Sequence, residues 1–447
     1  MVAMFALGLG IADAAQAQKL EEVLAHTYRN NPQIQAQRAL LRATDESIAQ
    51  ARAGWRPTVS VNSSVGVGNI DRQGTRGDPR GFTPRSSSLD VAQPILRGGR
   101  TEAAIRRSRA QIQAERARLF VVEQQVFQEA ITAYLNLVRD EATLALRVNN
   151  VQVLGRQLEA TRDQFRVGVV TRTDVAQSES RLAGARADRS AAEGLLTTTR
   201  ATFQRVVGLA PERVTAPPPP SDLPSGLIEA IAAAAEANPS VIAARFDEQV
   251  SLAQVEEVKG ELLPTLSLNG QMAYRANQTP GQLSQTSAQA TLNLSVPLYE
   301  AGSVYSRVRQ ARQTTSQRAA QLENTRRVVT EQATQAFESM QSAGARVVAL
   351  EAQVAASEIA LEGVRQEASV GSRTVLDVLN AEQERLNAQV ALVQSQRDFL
   401  VASYQLRAAL GRLTAQGMAL PIELYDFEAN FNAVQGRWWG IDPADEN

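Results

Sequence analysis

The sequence contains no cysteine in 447 residues, which excludes disulfides, thiolate metal sites and a cysteine nucleophile, and with them N-terminal lipidation on cysteine. It has a single histidine, His26, placed on an amphipathic helical pattern where a structural role is expected. Lysine occurs only at Lys19 and Lys259; the other basic residues are arginine. Aromatic residues are 5% of the chain, which suits long helices better than a compact β-rich enzyme. The net charge of −1 leaves no global basic field for nucleic acid. After the first twenty positions no run of about 18 apolar residues occurs, so no transmembrane helix is expected. A membrane span would then have to be built from strands. GxSxG, P-loop and HExxH motifs are all missing.

Residues 1–17 read as a signal peptide that lacks its basic start. Met1 to Gly10 is apolar, and Ala15-Gln16-Ala17 is a small-residue cleavage pattern.

What is present is a tandem repeat. Asn31-Pro32 returns as Asn238-Pro239, and Arg56-Pro57 as Leu263-Pro264, both 207 residues on. Gln93-Pro94-Ile95 returns as Val296-Pro297-Leu298, Val167-Gly168 as Val370-Gly371, and Asp174 as Asp377, all 203 residues on. The offset changes once, so one loop between the two proline pairs is shorter in the second copy. Repeat 1 covers 18–210, a proline-rich linker 211–226, repeat 2 227–413, and a tail 414–447 follows. Pro217 to Pro220 cannot be helix and reads as extended chain.

Each repeat reads as helix, strand, strand, long helix, turn, helix. Strict alternation places strands at about 55–68 and 86–97, and at about 262–275 and 286–299. One face of each is apolar (Val59, Val61, Val65; Leu268, Met272; Leu292, Leu294) and the other small and polar. That alternation fits a membrane barrel strand and equally a half-buried sheet on a soluble core. The helices favour the first. Gly99 to about Phe165 and Gly302 to about Ala368 are free of proline, and each amounts to roughly 100 Å of helix. Phe127, Ile131, Tyr134 and Val138 follow coiled-coil spacing. The pieces Leu20–Ala53 and Asp174–Val207 read as helices of about half that length. Four strands per chain are too few for a barrel, since barrels begin at eight, so several chains must share one. Two chains would give a nearly filled barrel, and three would leave a lumen.

The turn motifs FRVGVVTRTDV (Phe165 to Val175) and ASVGSRTVLDVLNAEQ (Ala368 to Gln383) carry a resemblance to a known family. So do the strand-end motifs AQPILRGGR (Ala92 to Arg100) and SVPLYEAGS (Ser295 to Ser303), and the GWRPTVSV and LLPTLSL pair. Across nearly the whole mature chain the sequence resembles the TolC family of outer-membrane exit ducts. The resemblance implies an α+β membrane protein: a homotrimer with a twelve-stranded transmembrane β-barrel and a twelve-helix periplasmic tunnel of coiled-coil helices. It implies a passive gated channel in the outer membrane of a Gram-negative bacterium, serving type I protein secretion, multidrug efflux, or both. Its partners would be outer-membrane lipid, a periplasmic adaptor (membrane fusion protein) and an inner-membrane ABC or RND transporter, with no cofactor. By the same resemblance Arg373 matches the arginine of the gate lock, and Thr173 and Asp174 match its partners. Asp377 matches one member of a carboxylate ring, while Asn380 stands where the family type has a second aspartate. Ala368 replaces a latch tyrosine. Val167, Gly168, Val169 and Val370, Gly371, Ser372 match the tip surface gripped by adaptor hairpins.

From the residues alone, Gly168 and Gly371 supply the positive φ of a tight reversal, and Thr173 and Thr374 are expected to cap the return helices. Two other readings compete with this one. An enzyme using Asp174 and Asp377 as a carboxylate pair is disfavoured, because the two aspartates are repeat equivalents. A soluble periplasmic coiled-coil scaffold or adaptor would share the long helices but would not need four strands with a lipid-compatible face.

Overall fold

The computed structural model describes residues 18–70 and 80–443, so the expected signal peptide lies outside the described residues. Repeat 1 comprises α1 (Leu20–Asn30), α2 (Pro32–Arg52), β1 (Thr58–Val65), a short hairpin of β2 (Gly68–Ile70) and β3 (Arg80–Phe82), β4 (Arg85–Arg97), α3 (Arg100–Arg166) and α4 (Arg172–Val207). Repeat 2 comprises α5 (Leu227–Ala237), α6 (Pro239–Lys259), β5 (Thr265–Ala276), β6 (Gln285–Ser295), α7 (Ser303–Ser369) and α8 (Val375–Ala409). A last helix, α9 (Phe427–Val434), belongs to the tail. The chain divides into two compact units. The first is 1–38, 118–241 and 326–425; the second is 39–117, 242–325 and 426–447.

Both 67-residue helices appear within one residue of the expected bounds. The single helix expected over Leu20–Ala53 is instead two, and the physical reason is Pro32. A residue before proline is pushed out of the α region, and Asn31 is extended at φ −69°, ψ 125°. Its Oδ1 then accepts from Gln33 N at 2.9 Å and starts the next helix. Its Nδ2 donates to Val206 O at 3.1 Å, in the last turn of α4. Asn238 repeats both bonds, accepting from Ser240 N at 2.9 Å and donating to Ala409 O at 3.0 Å. Each Asn-Pro thus caps one helix at its start and another at its end. Asn31→Ala is expected to destabilise the fold by about 1–3 kcal/mol, through a lost cap and a stranded buried carbonyl. Thermal melting in detergent measures it; an unchanged midpoint would remove this dual role.

In the first unit, Phe127, Ile131 and Tyr134 are fully buried along α3, as the seam predicts. The Tyr134 hydroxyl lies 2.8 Å from the carbonyls of Gln18 and Thr215, which ties the extended proline-rich linker to that helix. The buried Glu123 carboxylate accepts from Ala415 N and holds the start of the tail. Further along the tail, Tyr425 N donates to Tyr28 Oη at 3.0 Å, and the Arg38 guanidinium lies over both tyrosine rings, at 4.4 and 5.2 Å.

One helical stretch among the described residues, Leu227–Leu262, is long and apolar enough by composition to cross a membrane, where the sequence reading expected none. It is rich in alanine, and Asn238 breaks it. The 11 residues of α5 rise about 16 Å, short of the roughly 30 Å hydrocarbon core. Ala230 and Ala234 are fully buried, so the alanines serve close helix packing.

In the second unit, four strands form one antiparallel sheet in the order β1-β4-β5-β6. β1 begins only at Thr58, where 55 was expected, because Pro57 cannot donate to a ladder. β6 ends at Ser295, two residues before Pro297, where 299 was expected. Pro94 is tolerated inside β4 because the register shifts between Pro94 and Leu96. The β2–β3 hairpin was not foreseen; it sits in the connection that the offset change marks as longer in repeat 1. Where the sheet gives way to α3, Gly98 (φ 60°) lies against Gly260. A Cβ on Gly98 would come within 2.3 Å of Gly260 O, so neither position has room for a side chain.

Candidate gate and pore-lining surfaces

Directly opposed residues in a sheet share a face, and the register sorts the faces cleanly. Val61, Leu89, Met272 and Ala288 form one row across all four strands, flanked by Val59–Val91–Gly270–Ala290. Leu268 and Leu292 extend that apolar face, and both are exposed, as are Val59 and Val61. On the opposite face runs Ser60–Asp90–Gln271–Gln289. Asp90 accepts from Asn62 Nδ2 at 3.1 Å, Ser88 Oγ at 2.8 Å and Gln271 Nε2 at 2.6 Å, and Gln289 donates on to Gln271 at 3.1 Å. Side chains from all four strands are thus joined in one polar ladder. The sequence reading found the alternation and missed this ladder, because strand pairing was needed to bring Asn62, Asp90 and Gln271 together.

The helical hairpins end in two equivalent tips. α3 stops where Gly168 takes φ 81°, with Val169 N bonded to Gln164 O at 2.9 Å; α7 stops at Gly371, φ 83°, with Ser372 N bonded to Glu367 O at 3.0 Å. A left-handed residue at this point satisfies the last carbonyls and reverses the chain. The tip residues Val167, Val169 and Val370 are 75%, 71% and 79% exposed, which leaves apolar knobs standing in water.

The expected cap at Thr173 is wrong. Thr171 caps α4, and Thr173 lies inside its first turn. Thr171 Oγ1 accepts from Asp174 N at 3.3 Å, and the Asp174 carboxylate accepts from Thr171 N at 2.8 Å and Thr171 Oγ1 at 2.7 Å. Thr374 caps α8 as expected, with the same closed box to Asp377 at 3.2, 3.0 and 2.8 Å. The offset of 203 that links Asp174 to Asp377 also links Thr171 to Thr374, and was the signal that could have corrected the assignment. Hydrogen bonds from the Thr374 backbone and hydroxyl hold the Asp377 carboxyl below the usual carboxylate range, with a smaller contribution from Arg373.

Within the chain Arg373 is not joined to Thr173 or Asp174. Its Nε donates to Glu367 at 2.8 Å, across the same turn, and that pairing raises the guanidinium pKa further. Asn380 accepts from Arg181 Nη2 at 2.8 Å, a link from α8 to α4 that joins the two repeats. Sequence reasoning missed Arg181. It also missed a cross-hairpin ion pair. Arg162 pairs with Glu179 at 2.5 Å between α3 and α4, and Arg365 pairs with Glu382 between α7 and α8, at positions related by the same 203 residues. In the second hairpin Glu382 is buried and also takes Arg385 at 3.3 Å. Without Arg365 the buried Glu382 carboxylate keeps only the longer contact to Arg385, and a buried charge that loses part of its pairing is costly. Arg365→Ala is therefore expected to destabilise more than Arg162→Ala, whose pair is half exposed and worth about 0–1 kcal/mol. Melting of the two variants side by side tests this, and equal losses would refute it.

Long paired helices and four strands with one apolar face and a polar ladder on the other fit the class of outer-membrane ducts. Known proteins agree with that class. A sequence profile of the family described as outer membrane efflux protein matches residues 23–209 and 230–412. The outer membrane efflux protein BepC of Brucella suis is 30% identical over 433 residues, covering 97% of this chain and 94% of that protein. The outer membrane protein TolC of Vibrio cholerae is 24% identical over 418 residues, covering 91% and 93%. Among solved structures, the CmeC outer membrane channel of Campylobacter jejuni superposes with a TM-score of 0.78 at 16% identity, over 93% of this chain and 89% of that one. The chain belongs to the outer membrane efflux protein family. It is an outer-membrane exit duct of the kind that serves efflux and type I secretion.

Proposed function

We propose that three copies close one barrel, with β1 of each pairing to β6 of the next, and that the helical hairpins form a periplasmic tunnel gated at the tips. The observation that carries this is the four-stranded sheet with two free edges. Open edges leave N–H and C=O groups unpaired, which lipid does not tolerate. Three such sheets give twelve strands, enough for a lumen lined by the Asp90 ladder. The exposed valine knobs at 167, 169 and 370, beside Gly168, Gly371 and Ser372, form the surface for a periplasmic adaptor. That adaptor couples the duct to an inner-membrane ABC or RND transporter, which supplies the energy.

The gate is assigned to Arg373, Thr173, Asp174, Asp377 and Asn380. Asp377 stays ionised at every physiological pH and supplies the anionic ring at the mouth. Asn380 adds no charge, and its partner Arg181 brings a cation to the same level, so cation block at this mouth is weaker than two aspartates would give. Arg373 and Glu367 are both half exposed, so the pair yields readily when an adaptor docks.

Single-channel conductance in a planar bilayer tests both the pore and the latch. Wild type is expected to show a small conductance that rises severalfold in Arg373→Ala. An unchanged conductance would remove Arg373 from the gate. No channels from confirmed trimers of either protein would overturn the barrel.

A further inference from the structure

The tail after α9 carries two tryptophans that neither the duct nor its gate uses. In the second unit the tail is anchored along α2 and the first part of α3. Asn430 Nδ2 donates to Asp45 at 2.8 Å, and Arg116 pairs with Glu428 at 2.5 Å while its guanidinium stacks near Phe427 and Phe431. Arg52 then donates to Gln435 O at 2.9 Å, and Arg56 to Arg437 O at 2.6 Å. Arg56 also lies 4.7 Å over the Trp438 ring. The bonds climb from Asp45 in α2 to Arg56, four residues past its end, and Arg56 stands two residues before β1 begins at Thr58. The described part of the tail therefore reaches the start of the sheet.

There it stops being buried. Trp438 is 58% exposed, Trp439 84% and Ile441 fully exposed, with the two indoles 6.4 Å apart and tilted. A soluble surface gains nothing from two neighbouring tryptophans and an isoleucine held in water. A membrane–water boundary does, because the indole ring is apolar with one polar N–H and settles at headgroup level. Two guanidiniums, Arg56 and Arg437, stand at the same place and complement lipid phosphates; Asp442 is the acidic residue beside them, with its carbonyl bonded to Arg437. Val59, the first exposed residue of the apolar strand face, follows Arg56 by three residues, so the patch lies at the level where that face begins.

We propose that Trp438, Trp439 and Ile441 form an interfacial anchor that seats in the phospholipid headgroup layer of the periplasmic leaflet and sets the depth of the barrel. The inference rests on the strands spanning the membrane. The chain has three tryptophans, so Trp55→Phe leaves only the tail pair. That variant, as the full trimer in phospholipid vesicles, is examined with lipids brominated near the headgroup or deep in the acyl chain, and with acrylamide in the water. Strong quenching by the shallow bromines, weaker quenching by the deep ones and poor access to acrylamide are expected. A second protein, with all three tryptophans changed to phenylalanine and Leu292→Trp on the strand face, reports the span itself. Bromolipid quenching at position 292 with full acrylamide access and no lipid quenching at the tail overturns the anchor alone. No lipid quenching at 292 overturns the span and the anchor together.

Discussion

Val61→Arg is expected to abolish or sharply reduce assembled trimer in the membrane, while Ser60→Arg one residue away is tolerated. Val61 sits mid-strand on the apolar row with Leu89 and Met272; Ser60 sits on the polar row with Asp90 and Gln271. A guanidinium on the lipid face near the bilayer midplane costs about 2–4 kcal/mol, and the proposed trimer would place that cost three times in one barrel. Arginine on the water-filled face keeps its hydration and acts on conduction instead. Leu292→Arg in β6 and Gln289→Arg in the same strand repeat the contrast on an independent element. Heat-modifiable trimer recovered from membranes is the readout. Equal recovery of the Val61 and Ser60 variants would mean that the sheet does not face lipid on its apolar side.

The second large effect comes from Glu123, buried on α3. Burial pushes its carboxyl from 4.5 up to about 7, against the opposing pull of the Ala415 N–H and the more distant Arg38. A carboxyl whose folded pKa is raised favours folding when protonated in both states. That advantage is complete below pH 4.5 and is lost as pH rises towards about 7. The difference corresponds to about 3 kcal/mol of stability by pH 8. Glu123→Gln keeps an amide oxygen for Ala415 N and carries no charge. It is expected to melt like wild type near pH 4.5 and several degrees higher at pH 8. A melting gain of the same size at both pH values would show that the charge of Glu123 is not what is costly there.

Much of this protein is legible from residue order. The 67-residue helices follow from the absence of proline and from a seam that keeps Phe127, Ile131 and Tyr134 on one stripe, and they are found within one residue of expectation. The tips were readable because only glycine takes the left-handed conformation there without strain, and both glycines recur in the repeat. Legibility failed where chemistry depends on a neighbour. Thr171 and Thr173 are both capping residues by type, and the structure chose the one whose spacing to Asp174 closes a box. Arg373 reads as a lock from its motif, yet within one chain its nearest carboxylate is Glu367, six residues back. Arg181 carries no motif at all and acquires meaning only because α4 meets α8 at Asn380.

The sequence by itself determined the repeat, the lengths of the two long helices, the strand faces and the proline-rich linker. These follow from periodicity and from backbone restrictions that each residue carries wherever it stands. Only the tertiary structure decided strand order and register, and therefore that Asp90 joins side chains from all four strands. It likewise decided that Glu123 is buried beneath the tail, and that Trp438 and Trp439 end beside β1. Those outcomes depend on which distant segments are brought within hydrogen-bonding or packing distance, and periodicity along a single segment carries no information about that.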